Sequence, residues 1–408
     1  MTTLGTEAPA ASVPPSSVHE VFRAVDAYDA HQKSPAIRLH VGEPAFRPPP
    51  SVAIAIATAA AAGRTGYTTA EGLGELRTAL VRKLREHNGH DTDVDRVFVT
   101  PGSTQGLQAI MQSLAAPGTE ILLPALHWPI YLQQALLAGL LPATYPLDDH
   151  LRPDLAALAG LPAGPKILVV NSPNNPSGAI CDRRLLSELL ELAHRRGWWI
   201  ISDEAYEHFN YDGEVLSLAA LEAERDVGER RVFSAFTFSK SYGMTGWRLG
   251  YVTAPTPRQA SLLQVVQEAT IVCPPQPIQL AGVAALADDD AISRNSSFVR
   301  ANRDLMARAL RGTGLMATVP EGGWYALLDC AATGLDADTF AARLLAEEGV
   351  ALASATGFAL RPPFSADSDL NAIDPSARHL LRLAFCGDRN ALLEGLARLV
   401  RFTRRQCR

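Results

Sequence analysis

Arg231-Val232-Phe233-Ser234-Ala235-Phe236 leads into Thr237-Phe238-Ser239-Lys240, and Gly246-Trp247-Arg248 leads into Leu249-Gly250-Tyr251-Val252. The first and last of these runs are rich in β-branched and aromatic residues, the pattern of buried strands. Between them a lysine sits among hydroxyl residues, and an arginine follows eight residues later. A lysine at the edge of a buried sheet can lose its proton and act as a nucleophilic amine. Two hydroxyls and a guanidinium can hold a phosphate dianion, the guanidinium by paired hydrogen bonds. Together they describe a seat for a carbonyl cofactor that carries a phosphate, joined to Lys240 as a Schiff base. Pyridoxal 5'-phosphate has that chemistry. The same stretch also reads as a surface lysine in a Ser/Gly-rich turn.

The residues upstream decide between these readings. Val169-Val170-Asn171-Ser172-Pro173-Asn174-Asn175-Pro176-Ser177-Gly178 ends an apolar run in a turn. Trp198-Trp199-Ile200-Ile201-Ser202-Asp203-Glu204-Ala205-Tyr206 ends another in an acid and a tyrosine. Ligands of open α/β sheets sit beyond the carboxyl ends of the strands. Asn175, Asp203, Tyr206 and Lys240 all follow apolar runs, so one crevice should collect them. Apolar runs at 96–100, 120–123, 141–145, 166–171, 198–203, 232–236 and 249–252 alternate with helical patterns. Alternation of this kind predicts an α/β fold with a mostly parallel sheet of about seven strands, covered on both faces. From about Ala291 the pattern changes to a smaller α+β region, with a long helix, the run Gly323-Trp324-Tyr325-Ala326-Leu327-Leu328, a helix near 339–348, and strands near Val350 and Leu381.

Composition narrows the function classes. The 408 residues suffice for two domains, and a net charge of −6 with scattered Lys and Arg gives no footprint for nucleic acid. The five cysteines are irregularly spaced with no CxxC pair, which argues for free thiols in a reducing cytoplasm. Residues 1–16, rich in Ala, Pro, Ser and Thr, read as a disordered arm without a secretory signal. The Ala-rich run 52–62 is too short to span a bilayer and reads as a packed helix. The expectation is a soluble protein. No metal-ligand cluster is read.

The chain resembles the class I/II aminotransferases, in the aspartate-aminotransferase-like group of fold type I pyridoxal phosphate enzymes. The resemblance runs from about Ser17 to the C-terminus. It rests on Gly42-Glu43-Pro44, Tyr67-Thr68, Asn171 to Gly178, Asp203 to Tyr206, Ser239-Lys240 to Arg248, and Leu381-Arg382-Leu383, in family order. It implies a large cofactor-binding domain at 46–289 and a small domain made of 17–45 with 290–408. It also implies transfer of an amino group from an L-amino acid to a 2-oxo acid, with pyridoxal phosphate on Lys240.

Roles follow residue by residue. Lys240 is the base that moves a proton at the substrate Cα, with the cofactor ring as electron sink. By resemblance Asp203 sits against the ring nitrogen, where an ionised carboxylate favours protonation; alone it could be a strand-end Asp capping a turn. Tyr206 and Asn175 are expected on the cofactor's phenolic oxygen. Gly102-Ser103-Thr104 opens a helix whose N-terminus can take a phosphate, or is a plain N-cap. Thr237, Ser239 and Arg248 add donors. Trp128 matches the family's stacking position above the ring. Tyr67 matches the tyrosine that reaches the phosphate of the neighbouring subunit, which implies a homodimer with shared sites. Arg382 lies in an apolar run and needs an anion: a substrate α-carboxylate, or a protein carboxylate. Gly42 and Asn175 are expected to complete the carboxylate site.

Two departures from the family bear on the substrate. A Pro-Gly pair is missing before Phe358, and the segment 360–377 is long with three prolines. No arginine occurs in 266–275, where dicarboxylate-specific members draw one from the partner. A side-chain pocket including Val18, Tyr28 or nearby residues, Trp128 and Ile271 is expected, suited to an apolar or aromatic group. A lyase, cyclase or oxidative deaminase on the same scaffold would share these motifs. A binding or regulatory module ranks lower, because such regulators carry a DNA-binding domain ahead of this fold.

Overall fold

The computed structural model describes Ala10 and residues 13–361 and 373–407, apart from 33, 215 and 289. The chain begins with α1 (Ser17–His31), β1 (Ile37–Arg38), α2 (Pro50–Ala61) and α3 (Gly74–Asn88). An alternating region follows: β2 (Val97–Thr100), α4 (Gly102–Leu114), β3 (Glu120–Pro124), α5 (Pro129–Leu137), β4 (Leu141–Tyr145), α6 (Leu155–Ala159), β5 (Lys166–Asn171), α7 (Arg183–Arg196) and β6 (Trp199–Asp203). Next come β7 (Val232–Thr237), the one-turn helix α8 (Phe238–Ser241), β8 (Gly250–Thr253), α9 (Pro257–Ile271) and α10 (Gln276–Leu286). The last part holds α11 (Ala291–Leu310), β9 (Tyr325–Asp329), α12 (Ala337–Glu348), β10 (Val350–Ala351), β11 (Ala353–Ser354), β12 (Leu380–Ala384) and α13 (Arg389–Gln406).

Seven strands form one sheet in the order β2-β8-β7-β6-β5-β3-β4. The pairs from β7 through β6, β5 and β3 to β4 are parallel, while β8 is antiparallel to both β2 and β7. Successive side chains of a strand point to opposite faces, and each face builds a core. Ile167, Val169, Ile201 and Phe233 pack with Leu107, Ile110 and Leu263 on one face. Leu168, Val170, Ile200 and Val232 pack with Leu186 and Leu189 on the other. Burial on both faces explains why β5 and β7 read as continuous apolar runs.

The register sets the edge that matters. Asn171 pairs with Asp203, and Asp203 pairs with Ala235. Gly250 pairs with Thr237 on one side and Thr100 on the other. Because β8 runs backwards, its start, not its end, lies beside the carboxyl ends of β5, β6 and β7. Arg248, two residues before β8, therefore arrives at the same edge as Asp203 and Lys240.

The C-terminal strands form a separate antiparallel sheet, β11-β12-β9, and β1 pairs in parallel with β10. Leu381, Leu383, Leu392 and Leu396 share a core with Tyr206, Phe209 and Tyr211, which follow β6. The stretch after Asp203 thus packs against this second unit.

Residues 13–16 depart from the expected free arm. Pro14 is buried, its carbonyl accepts a 2.8 Å hydrogen bond from Gln133 Nε2, and Ser16 is buried too. They run directly into α1, whose first residue abuts Gly357, where a Cβ would lie 1.9 Å from Ser17 Oγ. Residues 1–9, 11 and 12, and most of the 360–377 segment (362–372), lie outside the described residues. Among the described residues no helix is long and apolar enough to cross a membrane.

Candidate active site

A cavity of about 270 Å³ opens at the carboxyl edge of the sheet. Gly42, Ser103, Thr104, Trp128, Asn175, Asp203, Tyr206, Thr237, Ser239, Lys240, Arg248 and Arg382 all line it. Tyr67 does not. It is 89% exposed, on a loop tied to the 273–274 segment by Thr68 N donating to Cys273 Sγ at 3.5 Å.

Lys240 rides on α8. Thr237 starts that turn by accepting from Ser239 N at 3.1 Å, and its hydroxyl donates to Ser239 Oγ at 2.9 Å. Lys240 Nζ lies 4.9 Å from the Trp324 ring centroid and 5.6 Å from that of Tyr206. Asp203, at the end of β6, is 4% exposed. Ala205 N donates to its Oδ1 at 3.0 Å and the Tyr131 hydroxyl donates to its Oδ2. Burial raises its pKa, against the hydrogen bonds of Tyr131 and Ala205 and the charge of Lys240. Among the described residues no cation is in ion-pair contact with Asp203. A buried carboxylate so placed favours a cationic partner from a ligand.

Asn171 joins two strand ends. Its Nδ2 donates to Asp203 O at 3.0 Å, and its Oδ1 accepts from Asn175 N at 2.8 Å. Asn175 Oδ1 in turn accepts from Arg382 Nη1 at 3.0 Å. Arg382 Nη2 donates to His40 O at 2.7 Å, and its buried Nε has no partner among the described residues. The guanidinium carbon lies 4.1 Å from the Tyr325 ring centroid and 4.5 Å from that of Phe358. Among the described residues no protein carboxylate pairs with it, which removes the protein-partner reading of this arginine.

The anion cradle is built from backbone as much as side chain. Gly102 opens α4 with φ +77°, and a Cβ there would lie 2.6 Å from Arg248 Nη2. A Cβ on Gly250 would lie 2.6 Å from Ser103 N. Pro101 caps α4 without a side-chain hydrogen bond, so the first-turn N–H groups at Ser103 and Thr104 are not consumed by a cap. Arg248 itself has φ +55°, a conformation that costs a non-glycine residue energy, and Nη1 anchors it by donating to Thr245 O at 2.8 Å. Hydroxyls, a guanidinium and a helix N-terminus meet around one point, the donor set a phosphate requires.

Two expected pocket residues do not line the cavity within this single chain. Val18 and Trp128 line the cavity, but Tyr28 and Ile271 do not. Tyr28 sits ten residues further along α1, about 15 Å along its axis, and packs with Val25 and Leu345 near Gly349. Ile271 ends α9 and is not among the residues of this single chain that line the cavity. The cavity also gains Val41, Tyr131, Asn171, Ala205, Thr245 and Tyr325. Tyr131 was detectable as the residue one helical turn after Trp128. Tyr325, after Gly322-Gly323-Trp324, carries no local signal that separates it from a core aromatic. Cys386 is buried near Lys240, and burial pushes its thiol up to about 12, so it is a packing residue.

The family profile for aminotransferase class I and II matches residues 34–399. The chain belongs to the class I and II aminotransferases. It is 32% identical over 330 residues to the aspartate/prephenate aminotransferase of Thermus thermophilus, covering 79% of this chain and 84% of that protein. It is 29% identical over 357 residues to an aspartate aminotransferase of Pyrococcus horikoshii, covering 84% and 87%. Among solved structures, the aspartate aminotransferase from Thermus thermophilus with maleate superposes with a TM-score of 0.86 at 29% identity, covering 98% of this chain and 100% of that one. An aminotransferase from Mycobacterium tuberculosis gives 0.88 at 25% identity, with the same coverage. The fold and the transfer of amino groups are thereby established for this aminotransferase.

Proposed function

We propose that this aminotransferase uses pyridoxal 5'-phosphate on Lys240 to move the amino group of an L-amino acid with an uncharged side chain to a 2-oxo acid. Bound there, the cofactor supplies the electron sink that lets a Cα proton leave. Thr237, Ser239, Arg248 and the first turn of α4 would hold its phosphate. Asp203 would face its ring nitrogen, Tyr206 and Asn175 its phenolic oxygen, and Trp128 its ring face. Lys240 would carry the proton to and from Cα. Arg382, with Asn175 and the backbone of Gly42, would fix the α-carboxylate. Residues 46–289 are read as the cofactor domain. Residues 17–45 with 290–408 are read as the domain that brings Gly42 and Arg382 to it, a division supported by the pairing of β1 with β10.

The observation that carries this reading is Arg382: a 3% exposed guanidinium with no carboxylate partner among the described residues, in the cavity that also holds Lys240, Asp203 and the anion cradle. The substrate class follows from the cations. Among the described residues, Lys240, Arg248 and Arg382 are the Lys and Arg residues that line the cavity, and each already has a partner under this reading. The remaining wall includes Val18, Val41 and Trp128. A second substrate carboxylate would be buried there without a cation from the described residues of this chain. The exposed Tyr67 supports a homodimer in which each chain completes its neighbour's site, and the five free cysteines support a cytoplasmic setting.

The test is a spectral screen of single amino acids against the cofactor-loaded enzyme. Leucine or phenylalanine should discharge the cofactor band with kcat/KM at least about 100-fold above aspartate, the cost of leaving one carboxylate unpaired. Preference for aspartate would overturn the substrate class. No response to any amino acid would overturn the site.

A further inference from the structure

We propose that Tyr325 is a further substrate-binding residue, whose hydroxyl donates to the α-carboxylate and whose ring holds Arg382 in place to receive it. The inference rests on the reading of Arg382 as the carboxylate site. Tyr325 is 4% exposed and lines the cavity. The β9–β12 register places Arg382 opposite Leu327, so Tyr325, two residues earlier, lies diagonal to Arg382 on the same face of the sheet. The ring therefore stacks on the guanidinium at 4.1 Å while Phe358 approaches at 4.5 Å, and the fork is left to bond through its edges.

The hydroxyl has a different task from the ring. It accepts from the Tyr206 hydroxyl at 3.4 Å, and its own proton has no acceptor among the described residues. A buried phenol normally finds a partner for its proton. Three fixed groups define where this one lies. Tyr206 is on one side, the Arg382 guanidinium is under the ring, and Gly42 is close enough that a Cβ would fall 2.0 Å from the phenol oxygen. Gly42 and Arg382 are the groups read as holding the α-carboxylate, so an oxygen of that carboxylate is the acceptor within reach. The same crowding gives a reason for glycine at position 42, since any side chain there would displace the phenol.

Tyr325→Phe and Tyr325→Leu separate the two tasks. Calorimetry with 4-methylpentanoate, a monocarboxylate that lacks an amino group, reads binding to the loaded enzyme without turnover. Tyr325→Phe should weaken it about 10- to 100-fold through loss of one hydrogen bond to a charged acceptor. KM for the amino acid should rise by a similar factor with kcat within about 3-fold, and cofactor affinity should be unchanged. Tyr325→Leu should lose a further factor of a few as Arg382 loses its stacking surface. Unchanged 4-methylpentanoate binding in Tyr325→Phe, with wild-type binding still abolished by Arg382→Ala, would overturn this inference alone. Wild-type binding insensitive to Arg382→Ala would overturn the carboxylate site and this inference with it.

Discussion

Lys83→Met should cost this enzyme more stability than most single substitutions. Lys83 lies on α3, and its Nζ donates to Glu207 Oε2 at 2.6 Å and to Asn88 Oδ1 at 2.9 Å. Asn88 Nδ2 donates to the same Glu207 oxygen at 2.6 Å. Both charged side chains are 7% exposed. Burial alone would raise the Glu207 pKa, but the charge of Lys83 and the hydrogen bonds of Lys83 and Asn88 hold it below the usual value. Methionine keeps the volume and removes the charge, so Glu207 is left as a buried anion. Breaking a buried pair in this way costs about 3–5 kcal/mol. Unfolding entropy of roughly 2.1 cal/mol/K per residue over 408 residues gives about 0.9 kcal/mol/K. The expected fall in Tm is therefore about 4–6 K. Glu207 is one residue beyond Tyr206 and four beyond Asp203, so cofactor affinity should fall as well. Adding Glu207→Gln should recover most of the lost stability, because it removes the unpaired charge. Scanning calorimetry and urea unfolding on the four chains of the cycle measure the coupling. A single variant within 1 K of wild type, or a double variant no more stable than the single, would refute the argument.

Lys240→Ala should abolish turnover with the fold intact, and borohydride reduction of the wild-type enzyme followed by peptide mapping should place the cofactor on Lys240; label on another lysine would refute the assignment. Asp203→Ala should retain cofactor yet slow Cα deprotonation by orders of magnitude in single-turnover measurements, and a wild-type rate would remove Asp203 from its place at the ring nitrogen. Tyr67→Ala should weaken cofactor retention, and hybrids of Lys240→Ala with Tyr67→Ala chains should regain one site of wild-type affinity; hybrids that keep the weak affinity would mean Tyr67 acts within its own chain. Acid should destabilise the protein well above the carboxylate range. Burial holds His40, His127 and His208 at about 4 and His90 at about 3. These histidines stay neutral when folded and take up protons on unfolding, so their contribution is intact above about pH 6.5 and drains away as pH falls toward 4. Glu204, raised to about 7 by burial and by Glu207, works in the opposite sense and offsets part of the loss. The net change from pH 7.5 to 5.5 should be on the order of 3 kcal/mol, and a urea midpoint that does not fall over that range would refute it.

The parts of the site that could be read from the sequence are those carried by strand ends. A strand buried on both faces is a mostly apolar run, so the polar residue that ends the run marks the edge of the sheet. Asn171, Asp203 and Thr237 stand at such points, and the register pairs Asn171 with Asp203 and Thr237 with Gly250. A slip of one residue would send Asp203 to the opposite face, so the apolar pattern that buries β6 also aims its terminal carboxylate. What could not be read depends on contacts between distant segments. Lys83 and Glu207 are 124 residues apart, and Tyr206 and Tyr325 are 119 apart. No local spacing distinguishes these residues from a surface lysine and a core tyrosine. The reversal of β8 is a further case. Four apolar residues have the same pattern in either direction, yet only the antiparallel course brings Arg248 to Gly102. Tyr28 shows the error that follows when distance along a helix is ignored: α1 begins at the cavity with Val18 and has left it by Tyr28. The Arg382 site combines both situations. An arginine inside an apolar strand announces a missing anion, but the aromatic pair that holds its guanidinium comes from β9 and from the turn at Phe358. Charge is therefore legible here where burial forces it to be exceptional, and the groups that orient it appear only once the chain has folded.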